Sequence, residues 1–243
     1  MIKMLVKIFG CLIFAFICNG YCYAQKDPEL LIRFNVTANG KPLVMADSTY
    51  HNAFGELFQV TRLKYYISNF SLDDSHRSPL HNKVYLLETG ITDSLMTSVS
   101  GTRLTSISFM LGVDSALNCS GAQDGALDPL NGMFWTWNSG YIFFKLEGYS
   151  PSSTADMQRI EHHVGGYRYP NNVAKSIRLI LPAPLALEKN GRHIININVD
   201  LDKYWKAVTE IKIASQALLM TPGGLALKAA ENFQSMFSIT SVQ

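Results

Sequence analysis

The 243 residues carry 21 Lys and Arg against 19 Asp and Glu, a formal net charge of +2, and 47% of them are hydrophobic. With so little net charge and no basic cluster, the chain has no electrostatic reason to hold nucleic acid or an anionic membrane surface. The length suffices for one large domain or two small ones, with an apolar core of substantial size.

Lys3 and Lys7 precede the apolar run from Ile8 to Cys18 and a small-residue exit at Cys22-Tyr23-Ala24. This is the pattern of a secretory signal cut after Ala24. The run is short for a bilayer span, which needs roughly 20 residues, and no lipobox-like pair precedes Cys18 or Cys22. We therefore expect a soluble protein that begins at Gln25, is exported to the periplasm or beyond, and has no stable membrane insertion. Removing the signal takes two Lys, leaving 19 basic residues (21 minus 2) against 19 acidic ones. It also takes Cys11, Cys18 and Cys22, so Cys119 stands alone and no internal disulfide can form. Exported folds usually rely on disulfides only when they are too small to build a core.

Along residues 25–243, read as one domain, period-two alternation recurs in short runs. Leu30, Ile32, Phe34 and Val36 alternate and lead into Asn39-Gly40, a pair suited to a two-residue hairpin turn. Further strands are expected from Phe58 to Leu72, Val84 to Leu87, Ser106 to Leu111, Tyr141 to Leu146, Ile177 to Leu181 and Ile194 to Val199. Short strands separated by Gly, Asn, Asp, Ser and Pro clusters point to an all-β fold, an antiparallel β-sandwich or partly open barrel with long loops. Helix has little room. Leu225, Ala229, Phe233 and Phe237 share one helical face near the C-terminus, after the breaker Thr221-Pro222-Gly223-Gly224, and a weaker helix is expected from Tyr204 to Val208. The loop Gly112 to Gly132 carries Asp114, Asn118, Cys119, Asp124 and Asp128. Loops of this length are uncommon unless functional or disordered, and its spacing does not match a calcium loop.

No Gly-x-Ser-x-Gly elbow, phosphate loop, dinucleotide fingerprint, His-Glu-x-x-His or Cys-x-x-Cys occurs, so an ordinary hydrolase or oxidoreductase is not expected. What remains is a set of potential metal ligands: six His with Met133, Met220 and Cys119. His76 and His81 lie in a polar stretch that reads as a surface turn, and His193 reads as an exposed edge residue. His162-His163 is followed by Val164-Gly165-Gly166, which lets the backbone approach closely; adjacent strand residues face opposite ways, so one of the two at most points at a shared site. The densest segment is Gly132-Met133-Phe134-Trp135-Thr136-Trp137-Asn138-Ser139-Gly140-Tyr141. It holds two of the three Trp, and in an extended chain Met133, Trp135 and Trp137 project to one face. Such a cluster is a core anchor, a metal site, or an aromatic platform for glycan or peptide in a binding module without metal.

The order Leu63-Lys64-Tyr65-Tyr66-Ile67-Ser68-Asn69, then Leu127-Asp128-Pro129, then Gly132 to Tyr141 running into Lys145-Leu146-Glu147-Gly148, then His163-Val164-Gly165-Gly166, resembles the MbnP-like copper-binding family. The resemblance implies an exported β-rich protein that binds copper, as Cu(I) or Cu(II), and acts as a carrier or sensor in metal homeostasis. It further implies that one Trp is oxidised to kynurenine by a partner dihaem protein related to cytochrome c peroxidase and MauG, so that the chain is an enzyme's substrate and not itself a catalyst. Carried over by position, Trp135 and Trp137 match the paired indoles, with Trp135 favoured, and His163 matches the family's His-x-Gly-Gly segment. His51 is a candidate second His with His162 the other contender, Met133 is a soft contact, and Tyr141, Glu147 and otherwise His162 would support the ligands from behind. Ser68 and Asn69 stand in a strand where relatives often place a His. Trp205 or the Asp-rich loop would serve as the docking face. An indole nitrogen offers only its N–H, whereas the ring-opened product offers an aryl amine and a ketone. Imidazole and thioether suit copper.

Overall fold

Alternating apolar residues build β1 (Glu29–Ala38), and Asn39 and Gly40, both at positive φ, turn the chain into β2 (Lys41–Pro42). There follow β3 (Tyr50–His51), β4 (Leu57–Leu72), β5 (Tyr85–Glu88), β6 (Ser94–Ser98), β7 (Arg103–Leu111), α1 (Ser115–Cys119), β8 (Phe134–Thr136), β9 (Gly140–Tyr149) and β10 (Arg159–Gly165). The remainder comprises β11 (Lys175–Ala186), β12 (Arg192–Asp200), α2 (Leu201–Trp205), α3 (Ile213–Gln216), β13 (Leu218–Leu219), α4 (Gly224–Ala230), α5 (Phe233–Met236) and β14 (Phe237–Val242). The computed structural model describes residues 26–73, 83–121, 123–136 and 138–243. The expected signal segment, His76, His81 and Trp137 lie outside the described residues.

The strands form a β-sandwich. One sheet runs β14-β12-β1-β2 with β6 also on β1; the other runs β11-β7-β4-β9-β10-β13, with β3 and β5 on β4 and β8 on β9. Aromatic rings join the two inner faces. Phe34 of the first sheet lies edge-on to Tyr65 and Phe109 of the second at 6.5 and 5.9 Å, and Phe237 meets the same two rings at 6.2 and 5.2 Å.

The pairing is not wholly antiparallel as expected: β1 lies parallel to β12 and β10 parallel to β13. Parallel neighbours need long crossovers, and the chain reaches β12 only after building most of the second sheet. The C-terminal apolar stripe also divides into α4 and α5. Between them the buried Asn232 donates to the carbonyls of Tyr204 and Thr209 and accepts from the Thr209 N–H, a competition that interrupts helices. Phe237 therefore opens β14. The helix expected at Tyr204 to Val208 is displaced to Leu201–Trp205, because Asp200 caps its start through the Asp202 N–H. In the long loop, Asp114 caps α1 through the Leu117 N–H and Asp128 caps a 3-10 turn through the Leu130 N–H.

Phe34 is 2% exposed at the junction of the sheets. Phe34→Ala should destabilise the protein by about 3–5 kcal/mol, read from the urea midpoint with an unchanged slope.

Candidate functional site

Strand β9 lies between β4 and β10, and its register aligns two rows of polar side chains. Glu88, Lys64, Lys145 and His163 stand opposite one another across four strands, and Arg62, Glu147 and Glu161 form the next row. Alternation puts these rows on the face away from the core, since Tyr65, one residue on from Lys64, meets Phe34 of the other sheet. Glu147 is the hub. Its Oε1 accepts from His163 Nε2 at 2.8 Å and lies 3.5 Å from Lys145 Nζ, while its Oε2 accepts from Arg62 at 3.0 Å. The His163 hydrogen bond holds the Glu147 carboxyl down at about 2, with help from Lys145 and Arg62 and against the opposing effect of burial. Accepting at a carboxylate requires the proton on His163 Nε2. In the neutral imidazole the lone pair is then on His163 Nδ1, which makes no hydrogen bond to the described residues.

The long loop lies over this face, pinned from below. Tyr66 donates to the Ala126 carbonyl at 2.9 Å and Tyr141 to the Leu127 carbonyl at 2.8 Å, while Asn118 Oδ1 accepts from the Tyr141 N–H at 3.0 Å. Lys145 Nζ, on a residue only 8% exposed, donates to the Gly132 carbonyl at 2.6 Å, and Lys64 Nζ reaches the Asn131 carbonyl at 3.4 Å as well as Glu88 at 2.9 Å. Burial depresses the Lys145 pKa, and the Glu147 charge opposes that. From Gly132, in the left-handed region, the chain enters β8 and pairs with β9. Trp135, half-buried, comes to rest on Gly165: a Cβ there would lie 2.8 Å from the indole Cζ3 and 2.5 Å from the Tyr141 carbonyl oxygen. Gly165 follows His163 by two residues, about 7 Å along β10, beyond a register shift between Val164 and Gly165.

The structure thus joins His163 to Glu147 and seats Trp135 and the Tyr141 carbonyl against Gly165, two positions further along β10; Tyr141 itself is six residues from Glu147 along β9 with its hydroxyl in the loop, and Met133 is fully buried at the start of the Trp segment. It does not bring His162 or His51 to them. His162 points into the core, where its Nε2 donates to the Gln216 carbonyl at 2.6 Å and its Nδ1 accepts from the Tyr204 hydroxyl at 2.7 Å. Burial lowers its pKa to about 4, so it is neutral at pH 7. His51 is exposed on β3 opposite Leu57, seven positions (64 minus 57) along β4 from Lys64, or roughly 23 Å of strand. Trp205 is fully buried, with its ring 5.1 Å from Phe58 and 5.5 Å from His162, which removes it from any docking face. Cys119 is exposed on α1. Among the described residues, no three His, Cys, Asp or Glu side chains gather closely enough to hold a metal ion. Lys64 and Lys145, which link the Trp segment to the His163 row, have no role in the sequence reading; their signal was only their in-register spacing with His163.

A family model described as MbnP matches residues 27–222. The chain belongs to the MbnP family. Among solved structures, MbnP from Methylosinus trichosporium aligns with a TM-score of 0.51 and 15% identity, covering 82% of this chain and 81% of that one, a likeness that bears on the fold alone. No curated protein matches the sequence.

Two outcomes test this geometry. Gly165→Ala places a methyl group against a fixed carbonyl and the indole, so it should destabilise by about 1–3 kcal/mol and shift the Trp fluorescence as Trp135 is displaced. For His162, the folded state resists protonation and the unfolded chain does not. Its stabilising contribution is complete above the unfolded value of 6.5 and lost as pH falls toward about 4, amounting to up to about 3 kcal/mol. His162→Phe should flatten the fall of stability over that interval in urea titrations.

Proposed function

We propose that this is an exported copper-binding protein whose site is anchored by His163 and completed by a ligand made from Trp135, with Trp137 as the alternative. The observation that carries this reading is the seating of Trp135 on Gly165, two positions from an imidazole already oriented by a carboxylate. Metal-binding His residues commonly donate their other N–H to a carboxylate, and the Glu147–His163 hydrogen bond supplies that arrangement with Nδ1 left for the metal. The family supports copper as the ion, which imidazole nitrogen suits in either oxidation state.

The unmodified side chains fit copper only in part, because one imidazole and a carboxylate tied to two cations make an incomplete shell. Oxidative cleavage of the indole C2–C3 bond would supply the missing donor. Two oxygen atoms from the oxidant of a dihaem partner, dioxygen or peroxide, are added across that bond; hydrolysis then releases C2 as formate and leaves kynurenine. The chain is in this reading the substrate of that partner and afterwards a copper carrier or sensor, not a catalyst. Copper, when bound, would be held by His163 and the modified ring and would supply a positively charged, redox-active centre. Glu147 holds the imidazole tautomer, and Gly165 provides the space in which the ring turns.

His163→Ala should abolish copper binding, measured by competition with a chromophoric chelator; unchanged affinity would remove His163 from the site. Intact mass of protein co-produced with its dihaem partner should show the loss of one carbon and the gain of one oxygen, localised by fragmentation to Trp135 or Trp137. Tight, stoichiometric copper on a chain of unaltered mass would instead indicate a plain His and Met site.

A further inference from the structure

Past Gly165 the chain closes a loop, in which the Gly166 carbonyl accepts from the Val173 N–H at 3.0 Å. This loop, the Asn138-Ser139 turn between β8 and β9, and Pro222 enclose a cavity of about 190 Å³. A water takes about 30 Å³ in the liquid and drug-sized ligands need about 300–1,000 Å³, so the space suits a head group of a few heavy atoms. Among the described residues no Asp or Glu lines it, and its one cation is Arg168. The Arg168 side chain is oriented from behind: its Nε donates to the Tyr167 hydroxyl at 2.9 Å, and its Cζ lies 5.2 Å from the centre of that ring. Tyr167 is itself fixed. It is 5% exposed, its carbonyl accepts from Ser115 Oγ at 3.1 Å, and its ring packs on Gly140, where a Cβ would lie 2.9 Å away. Both terminal guanidinium nitrogens remain, with no carboxylate paired to them among the described residues. Ser139 Oγ accepts from Thr136 Oγ1 at 3.4 Å and keeps its own hydrogen to donate, and Asn138 and Asn171 add side-chain amides to the lining.

We propose that this cavity is a binding site for a small organic carboxylate, held by the two terminal nitrogens of Arg168 with Ser139 donating to the same head group. A planar cation with two spare donors side by side matches the two oxygens of a carboxylate. Arg168 is exposed, so solvent screens its charge and the fork geometry, more than the charge, sets the affinity. The site needs no metal and stands apart from the copper reading. A bound acid ties the Asn138-Ser139 turn, which follows Trp135 closely in the chain, to the loop that starts beside Gly165, on which the indole rests.

The test titrates the full chain with acetate, and separately with inorganic phosphate, at constant ionic strength balanced by chloride, and follows backbone amide shifts by NMR. Acetate should give saturating shifts at Ser139, Gly166 and Arg168. Arg168→Gln should weaken acetate binding by about tenfold or more, as expected for losing hydrogen bonds from a charged group. Arg168→Lys keeps the charge without the fork and should lose more than half of that on a logarithmic scale. Shifts that rise without saturating, or saturating shifts that Arg168→Gln leaves unchanged, overturn the site. Full affinity in Arg168→Lys overturns the fork, and tighter binding of phosphate than of acetate overturns the assignment to a carboxylate. Should the Arg168 variants fail to fold, Ser139→Ala should weaken acetate by about threefold, and undiminished binding there overturns the proposal.

Discussion

The pairing of β9 with β4 on one side and β10 on the other is the constraint from which the rest follows. A strand alternates strictly, so a slip of one residue would exchange every inward and outward side chain. With the register as it stands, Leu63, Leu146 and His162 share the inner face, and Lys64, Lys145 and His163 share the outer one. On the inner face Tyr65 meets Phe34 and His162 meets Tyr204, and the outer set receives the long loop. Neither arrangement survives without the other, because the same hydrogen-bond ladder positions both.

The consecutive histidines show how sharply that constraint divides similar residues. One imidazole is sealed between a phenol and a carbonyl, neutral and without solvent contact; its neighbour faces a carboxylate at the edge of the loop. Their chemistry differs because the backbone alternates, not because their local sequence differs. The ammonium of Lys145 fits the same logic: its stem follows the outer face and its charge is satisfied by the loop carbonyl that the loop itself brings.

Much of the fold was legible from alternation alone. The runs beginning at Leu30, Phe58, Ser106, Tyr141, Ile177 and Ile194 all became strands, since each has an apolar side to bury. Strand β10 was legible only at its His pair and not in its extent, because Glu161, His162 and His163 hide the alternation and the inner position is polar. β6 and β14 are edge strands whose pattern is blurred too: β6 buries Thr97 and exposes Met96, and β14 exposes Ser238 and Thr240 around a half-buried Ile239. For the site, strand parity already limited the His pair to one candidate, and glycine at 165 already signalled close backbone approach, which the Trp135 ring fulfils. The remoteness of His51 was hidden because it depends on where along a sixteen-residue strand the short β3 pairs. The helix break at Asn232 was equally hidden, since it depends on carbonyls supplied by distant Tyr204 and Thr209.

The parallel union of β1 with β12 has a kinetic corollary. Hydrogen-bonded partners such as Asn35 and Asn196 are separated by 161 positions, so the first strand to be synthesised must remain without its mate until nearly the whole polypeptide exists. Non-local pairing of this kind slows folding and leaves an open edge on an apolar strand in the meantime, a condition prone to aggregation. A nascent chain arrested before residue 192 should accordingly depend on a holdase, and release from that dependence should coincide with the arrival of β12.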